Sequence, residues 1–377
     1  MQNKIKPSLF ELVSSFFLLG LTAYSMAMLE ELKQLNNKKK WLSDEEIDKA
    51  LAMVELYPGP IFIDLAIYIA YKLRGLIGAF LAFFAFLLPS FIIMLVLSSI
   101  YFHYGKISYI HPFFSALEAM VIGIIIKVAF DFGSKYVKDK ITAVVAGISF
   151  ILMLYKIDAF YVILFAFLAS IFFKAPQTEE KSDKKINYKP IIISGILFLA
   201  LLIYGYFKSK LLFEMFKVGA VAFGNGMTIL PLLEDVVLKN HWMSLKEFAD
   251  GIAFGQITPG PFLITATFIG YKVASIIGAI LATIGIFYPS FFYTILMSEI
   301  YEKIKHLSFI QKILKSLLAS FTGMIFFVGL SLGKIALTNQ LNFIYAVFAF
   351  ITVKYFKLNV LYVFIIGLLV QFLIIKY

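Results

Sequence analysis

Thr258-Pro259-Gly260-Pro261 lies in the stretch that decides the fold, residues 242 to 291, because that stretch occurs twice in the chain. The second copy begins at Trp242 and continues after the break with Tyr271-Lys272, Gly278-Ala279 and Pro289-Ser290-Phe291. The first copy has the same order: Trp41, Tyr57-Pro58-Gly59-Pro60, Tyr71-Lys72, Gly78-Ala79 and Pro89-Ser90-Phe91. Apolar composition alone does not produce a shared order at nearly fixed spacing. The chain therefore contains an internal repeat.

The composition is that of an integral membrane protein. Of the 377 residues, 61% are hydrophobic and only 15% are charged, and the mean hydropathy is +0.90, far from the balance of a soluble domain. Apolar runs long enough to cross a bilayer recur from residue 8 to residue 375. We therefore expect a multi-pass protein of the cell membrane with the lipid bilayer as its main partner.

The charged and polar residues exclude several functions. The net charge of +11 comes almost entirely from lysines in short loops between apolar runs, where such charges set topology and contact anionic headgroups. We therefore expect no nucleic-acid partner. The chain has no cysteine and only four scattered histidines, which excludes disulfides and predicts no metal site. In the absence of a nucleophile–base pair or a cofactor motif, we expect neither catalytic residues nor a cofactor.

Local signals predict a helix, a break and a second helix in each copy. Ser43 and Glu46 have capping-box spacing, so a helix should begin after Ser43 and run to Glu55. Pro58-Gly59-Pro60 must interrupt it, and a half-helix from Ile61 to Lys72 should follow. Elsewhere the pattern predicts a spanning helix at residues 8–29, a long helix at 76–104 kinked near Pro89, and two short apolar runs at 140–155 and 159–173.

The fold predicted from these patterns is all-α, with about ten to thirteen transmembrane helices, built from two homologous repeats that contain broken helices. The polar segment 174–189 is the natural boundary between the halves. The predicted organisation is an N-terminal repeat at residues 1–173, the polar linker at 174–189, and a connecting helix followed by the C-terminal repeat at 190–377.

Two matched helix breaks point to one internal site. In hydrocarbon, a helix break survives only where it is buried in protein or lines a watered cavity, and half-helix N-termini at such breaks suit an anion. Breaks that serve packing alone are the alternative. The candidate substrate-binding residues of the second half are Gly224, Asn225, Gly226, Gln256, Thr258 and Gly260, and those of the first half are Tyr57, Gly59 and Ser25.

Two acidic residues are candidates for proton coupling. Glu55 aligns with Gln256, so one copy carries a carboxylate where the other carries a neutral amide. Asp64 lies in the first turn of the half-helix after the break, where it can also act as a helix-dipole partner. For Glu55, an ion pair with Lys72 or a solvated position stays open.

The second half resembles the chromate ion transporter family. The resemblance rests on Phe223-Gly224-Asn225-Gly226-Met227, Pro231-Leu232-Leu233-Glu234, Trp242, Glu247, Gln256 to Pro261, Gly270-Tyr271-Lys272 and Pro289-Ser290-Phe291. In the first half the chain departs from the family pattern at residues 23–27 and 55–60. The resemblance implies a two-halved membrane anion transporter with repeats of opposite orientation and chromate as substrate.

The leading functional hypothesis is a secondary transporter that exports or exchanges a tetrahedral oxyanion, chromate or its mimic sulfate. An anion channel is an alternative, since helix breaks also build selectivity filters, and another small anion is a further one. The sequence leaves open whether the protein forms a homodimer.

Overall fold

A computed structural model of the chain describes residues 7–22, 28–104, 111–174, 186–223, 227–305 and 307–376. Within these residues the regular structure is helical. The first-half helices are α1 (Leu9–Thr22), α2 (Met28–Lys39), α3 (Asp44–Val54), α4 (Ile61–Tyr104), α5 (His111–Tyr136), α6 (Lys140–Leu154) and α7 (Ala159–Ala169). The second-half helices are α8 (Tyr188–Lys208), α9 (Lys210–Ala220), α10 (Leu230–Lys239), α11 (Leu245–Ile257), α12 (Thr265–Ile304), α13 (Ser308–Ala336), α14 (Gln340–Lys354) and α15 (Val360–Lys376).

The lengths of these helices confirm the all-α membrane class. Five described segments are long and apolar enough to cross a membrane: Ile61–Tyr104, Pro112–Tyr136, Tyr188–Lys208, Phe262–Ile304 and Ser308–Ala336. Five further apolar helices are shorter: Leu9–Thr22, Lys140–Leu154, Ala159–Phe172, Gln340–Lys354 and Val360–Ile375.

The predicted capping box begins the helix before the first break. The Glu46 backbone N–H donates to Ser43 Oγ at 3.3 Å, and the Ser43 N–H donates to Glu46 Oε2 at 3.1 Å. The second copy repeats this box, with Ser244 N–H donating to Glu247 Oε2 at 2.8 Å and Glu247 N–H to Ser244 Oγ at 3.2 Å. Each half-helix therefore starts at the same position of the repeat.

The segment predicted as a spanning helix at residues 8–29 is described in part, since α1 covers Leu9–Thr22, α2 begins at Met28, and residues 23–27 lie outside the described residues. The lysine-rich segment lies mostly in α2, whose charges make it unsuitable for spanning the bilayer. In α4, Gly75 has non-helical dihedral angles, and it lies between the half-helix predicted to end at Lys72 and the helix predicted at residues 76–104. Pro89 lies inside the second of these helices.

The bend after each half-helix needs a left-handed residue. Gly75 has φ 64° and ψ −155°, which glycine adopts without a steric cost. The repeat counterpart Ser275 has φ 49° and ψ −139°, a conformation that costs a residue with a Cβ about 1–3 kcal/mol. The bend therefore persists in the second copy against local backbone strain.

The chain divides into two compact units. Unit 1 comprises Met1–Val96, Gln177–Ile229 and Thr258–Leu307. Unit 2 comprises Leu97–Pro176, Leu230–Ile257 and Ser308–Tyr377. Each unit contains segments from both halves of the sequence. The division of the sequence into residues 1–173, 174–189 and 190–377 describes the repeats and stays a prediction.

In unit 2, the repeat counterparts α5 and α13 run antiparallel. Asp139, just after α5, accepts a hydrogen bond from Lys315 near the start of α13 at 2.6 Å. At the other end, the Asn342 side chain in the first turn of α14 donates to the carbonyl of Ala336, the last residue of α13, at 2.6 Å and to Ser115 Oγ near the start of α5 at 2.9 Å. Hydrogen bonding to Lys315 lowers the pKa of the Asp139 carboxyl to about 2. Because the end of each helix lies at the start of its counterpart, the repeats have inverted orientation in this unit.

Close glycine contacts occur in matching pairs. A Cβ on Gly123 would lie 2.1 Å from the Ala346 carbonyl oxygen, and one on Gly323 would lie 2.0 Å from that of Ala146. Thus α5 packs against α14 and α13 against α6. Small residues allow such close backbone approach between membrane helices, so each repeat covers the hairpin of the other.

The inverted arrangement predicts opposite exposure of two matched loops. Lys138 and Thr338 are exposed residues that follow α5 and α13, at opposite ends of the antiparallel pair. The chain has no native cysteine, so Lys138→Cys and Thr338→Cys each create one thiol. In right-side-out vesicles, we expect an impermeant maleimide to label one variant, and the other only after permeabilisation. Labelling of both from the same side would contradict the inversion.

Candidate functional site

The first helix break belongs to unit 1 and lies at Pro58-Gly59-Pro60. Helix α3 ends at Val54 and α4 begins at Ile61, where the N–H groups of Ile63 and Asp64 donate to the Pro60 carbonyl at 3.0 and 3.2 Å. Gly59 is buried, and a Cβ on it would lie 2.0 Å from Asp64 Oδ2. The carboxyl group therefore lies directly against the backbone of the break.

Asp64 is surrounded by hydroxyl groups. Its side chain is completely buried, and the Ser290 hydroxyl donates a hydrogen bond to Oδ1. The Thr294 hydroxyl lies close to the same carboxyl group. Its Oγ1 lies 2.9 Å from the hydroxyl oxygen of Tyr57. Asp64 Oδ2 has no hydrogen-bond partner among the described residues. The first break therefore holds a carboxyl group of its own at the N-terminus of the half-helix.

The second break, also in unit 1, has a different polar content. Gly260 has φ +100°, and a Cβ on it would lie 1.8 Å from Ser90 Oγ. Ser90 is completely buried, and within the described part of the chain its hydroxyl has no hydrogen-bond partner. After Pro261, the helix starts with a 3₁₀ turn at Phe262–Ile264. A buried hydroxyl thus faces the N-terminal end of this half-helix.

At each break, the side chain that packs against the glycine comes from the other repeat. The glycine of each Pro-Gly-Pro lies against the serine of the Pro-Ser-Phe motif from the other half: Gly59 against Ser290, and Gly260 against Ser90. Neither glycine could gain a methyl group without displacing that serine. The contacts explain why Pro-Gly-Pro and Pro-Ser-Phe occur together in both copies.

The counterpart of Asp64 in the second copy is Thr265. Its hydroxyl donates to the Phe262 carbonyl at 3.0 Å, so it is satisfied within its own helix. Tyr57 likewise corresponds to Thr258, and both are buried. The first break therefore contains an ionisable group, whereas the second contains hydroxyl groups and backbone amides.

The structure locates most of the predicted site residues. Gly59, Tyr57, Gly260 and Thr258 are buried in unit 1, and Gln256 is buried near the end of α11 in unit 2. Ser25, Gly224, Asn225 and Gly226 lie outside the described residues. Of the two candidate coupling carboxylates, Glu55 is exposed at the C-terminal cap of α3, whereas Asp64 is completely buried.

Sequence reasoning missed three residues of this site, namely Ser90, Ser290 and Thr294. A signal for the serines was present, because Pro-Ser-Phe recurs at residues 89–91 and 289–291. The sequence did not show which backbone segment the serines contact. Thr294 has no such signal, since its counterpart is Met94.

The comparison with known proteins agrees with the repeat. A family model described as "Chromate transporter" matches residues 10–171 and 209–372, one segment for each half. The chain belongs to the chromate transporter family. It is therefore a membrane transport protein and not an enzyme. The two matched segments also confirm the resemblance seen in the repeat motifs.

Several relatives share much of the chain. An uncharacterized transporter of Methanocaldococcus jannaschii is 31% identical over 99% of this chain and 96% of its own. A chromate transport protein of Cupriavidus metallidurans is 31% identical over 72% of this chain and 68% of its own. Another of Pseudomonas aeruginosa is 24% identical over 94% of this chain and 89% of its own. No solved structure gives a significant match.

The glycine contacts predict the effect of adding one methyl group. Gly59→Ala and Gly260→Ala should each destabilise the protein by about 1–3 kcal/mol through overpacking, and Gly260→Ala by more, because its backbone is left-handed. The matched control is Gly147→Ala in α6, where an added Cβ meets no atom within 4 Å and helix propensity favours alanine by up to about 1 kcal/mol. Thermal unfolding in detergent measures the three variants. Equal stability of all three would contradict the tight packing at the breaks.

Proposed function

We propose that this protein is a secondary transporter of a tetrahedral oxyanion, with chromate as substrate and sulfate as a close mimic. The observation that carries the proposal is the completely buried Ser90 hydroxyl, without a partner among the described residues, against Gly260 at the second break. A buried polar group without a partner is costly, and a bound oxyanion would accept its hydrogen bond. The names of the Cupriavidus and Pseudomonas relatives support chromate.

The second break provides hydrogen-bond donors and a partial positive charge, both of which favour a bound oxyanion. The first turn of a helix has amide groups without intrahelical acceptors and carries about half a positive charge. Gly260 has no side chain of its own, and Ser90 Oγ lies against its backbone. Ser90 and the buried Thr258 add hydroxyl donors. Asn225 and the amides of Gly224 and Gly226 are further candidate donors from the sequence, and Gln256 stays a sequence-based candidate in unit 2.

The first break differs because Asp64 already occupies it. One carboxylate oxygen of Asp64 lies against Gly59, where the second break presents Ser90 to Gly260. A carboxylate at this helix N-terminus takes the place that a bound anion would take. We therefore assign the anion to the second break and proton coupling to Asp64. Glu55 is the weaker coupling candidate, since it is exposed.

The membrane potential determines in which direction the anion moves without a coupled ion. With an inside-negative potential of 100 mV, outward movement of a dianion is favoured by about 4.6 kcal/mol, since each charge contributes about 2.3 kcal/mol. Efflux or anion exchange then needs no ATP. Uptake needs a coupled cation.

A bound anion adds a second negative charge to unit 1 and so disfavours the ionised form of Asp64. Binding of the anion should therefore take up a proton.

Transport by purified protein tests the proposed function. In proteoliposomes, we expect saturable uptake of radiolabelled chromate and sulfate, with counterflow when the opposite side is preloaded. An anion channel would conduct without counterflow. A protein that moves neither anion, but transports another small anion, would keep the transporter class and overturn the substrate.

Removal of one hydroxyl at the second break should weaken anion binding. Ser90→Ala and Thr258→Val each remove a hydrogen bond to a charged ligand, which contributes about 1.5–3 kcal/mol and corresponds to a roughly 10- to 150-fold loss of affinity. Equilibrium binding of radiolabelled sulfate measures this loss. Ser149→Ala is the control, because it removes a buried hydroxyl that is bonded to Ser320 at 2.8 Å, away from the breaks. If the site variants bind as tightly as this control, the second break is not the binding site.

The coupling assignment predicts a pH-dependent affinity. Since anion binding favours protonated Asp64, affinity for sulfate should rise as the pH falls, and Asp64→Asn should remove this dependence. Sulfate stays a dianion over the range tested, so the anion does not contribute. Glu55→Gln is the matched control and should keep the wild-type profile. A flat profile in Glu55→Gln, with an unchanged one in Asp64→Asn, would return the coupling role to Glu55.

A further inference from the structure

A second cluster of buried ionisable groups lies entirely in unit 2. Asp250 on α11 is 1% exposed, and Glu118 on α5 is 3% exposed. The Tyr101 hydroxyl donates to Asp250 Oδ2 at 2.6 Å, and the side chains of Glu118 and Asp250 interact directly. Two carboxyl groups therefore share one buried space.

Two buried carboxyl oxygens of this cluster accept no hydrogen bond from the described residues. Glu118 Oε1 and Asp250 Oδ1 have no hydrogen-bond partner in the described part of the chain. Lys246 Nζ lies 3.9 Å from Glu118 Oε1, beyond hydrogen-bond distance. Adjacent buried carboxylates repel each other, so both ionise only at a large cost in free energy. One proton held between them satisfies both groups.

The surroundings favour a shared proton over two ion pairs. The Lys246 side chain is 45% exposed, so water screens its charge. Tyr101 is neutral and supplies a single donor, and Glu247 adds a further negative charge near it. The rings of Phe114 and Phe254 lie 5.2 and 5.7 Å from that of Tyr101, with apolar surface around the cluster.

The repeat shows that the cluster is not a general feature of the fold. The counterparts of Lys246 and Asp250 are Glu45 and Lys49, which form a 2.6 Å ion pair with side chains 78% and 59% exposed. Leu318 is the counterpart of Glu118. The positions of Glu118 and Asp250 thus carry the apolar Leu318 and the exposed Lys49 in the other copies of the repeat.

We propose that Glu118 and Asp250 form a proton-binding site that holds one shared proton and is separate from Asp64. Its two carboxyl groups lie on α5 and α11, both within unit 2. The site exists without a bound anion, so it does not depend on the proposed substrate.

Infrared difference spectroscopy of the purified full-length protein in lipid nanodiscs tests the proposal, with pH as the variable and no transported anion present. The wild type should show a carboxylic acid C=O band that disappears as the pH rises. Glu118→Gln and Asp250→Asn should each shift its titration to lower pH, because an amide replaces the repelling carboxylate. The double variant should lose the band.

Two controls separate this site from other buried carboxyl groups. Asp64→Asn removes the carboxyl group at the first break, and Glu234→Gln removes the carboxyl group that accepts a hydrogen bond from Ser331 at 2.5 Å. Both should retain the band of the pair. A double variant with the wild-type spectrum, or a band lost in Asp64→Asn instead, would overturn the proposal. Displacement of the proton by Na⁺ at constant pH would also overturn it in favour of a metal-cation site. If one single variant fails to fold, the shift in the other still decides.

Discussion

A helix break at membrane depth persists only where it is buried in protein or lines a watered cavity, because hydrocarbon offers its backbone groups no hydrogen bonds. This constraint governs unit 1. Each Pro-Gly-Pro break is packed against a serine of the opposite repeat, with Gly59 at Ser290 and Gly260 at Ser90. The arrangement needs both copies, since neither half contains a complete break and its covering serine. The internal repeat is therefore a requirement of the site.

The two breaks differ in one ionisable residue, and this difference gives them different electrostatic properties. Asp64 at the first break corresponds to Thr265 at the second, so a carboxyl group replaces a hydroxyl in matched surroundings. Two helix N-termini would otherwise both favour an anion. With Asp64 present, one of them is neutralised by the protein itself. In the proposed function, the remaining N-terminus binds the substrate, and the charge of its neighbour depends on a proton.

Local signals in the sequence predicted much of the fold. The capping box at Ser43, the interruption at each Pro-Gly-Pro and the short apolar hairpins depend on nearby residues, so they can be read without the structure. The helix through the lysine-rich segment, α2, was missed, because an apolar run does not show how far a helix continues.

The site was only partly predictable. Glycine and proline mark a break, but the residue that covers it is more than 150 positions away in the chain, as with Ser90 and Gly260. Burial was harder still, since Glu55 and Asp64 are both acidic residues near the first break, and only packing places one at the surface and the other inside. The buried pair of Glu118 and Asp250 likewise depends on contact between separate helices.

The central claim is that a single oxyanion binds at the second break, and anomalous scattering from chromium in crystals soaked with chromate tests it most directly. The account predicts one strong peak beside Gly260 and Ser90, with none of comparable height at Gly59, where Asp64 occupies the equivalent position. Peaks of equal height at both breaks would contradict the assigned role of Asp64. A strong peak far from both breaks, with none at Gly260, would contradict the site itself.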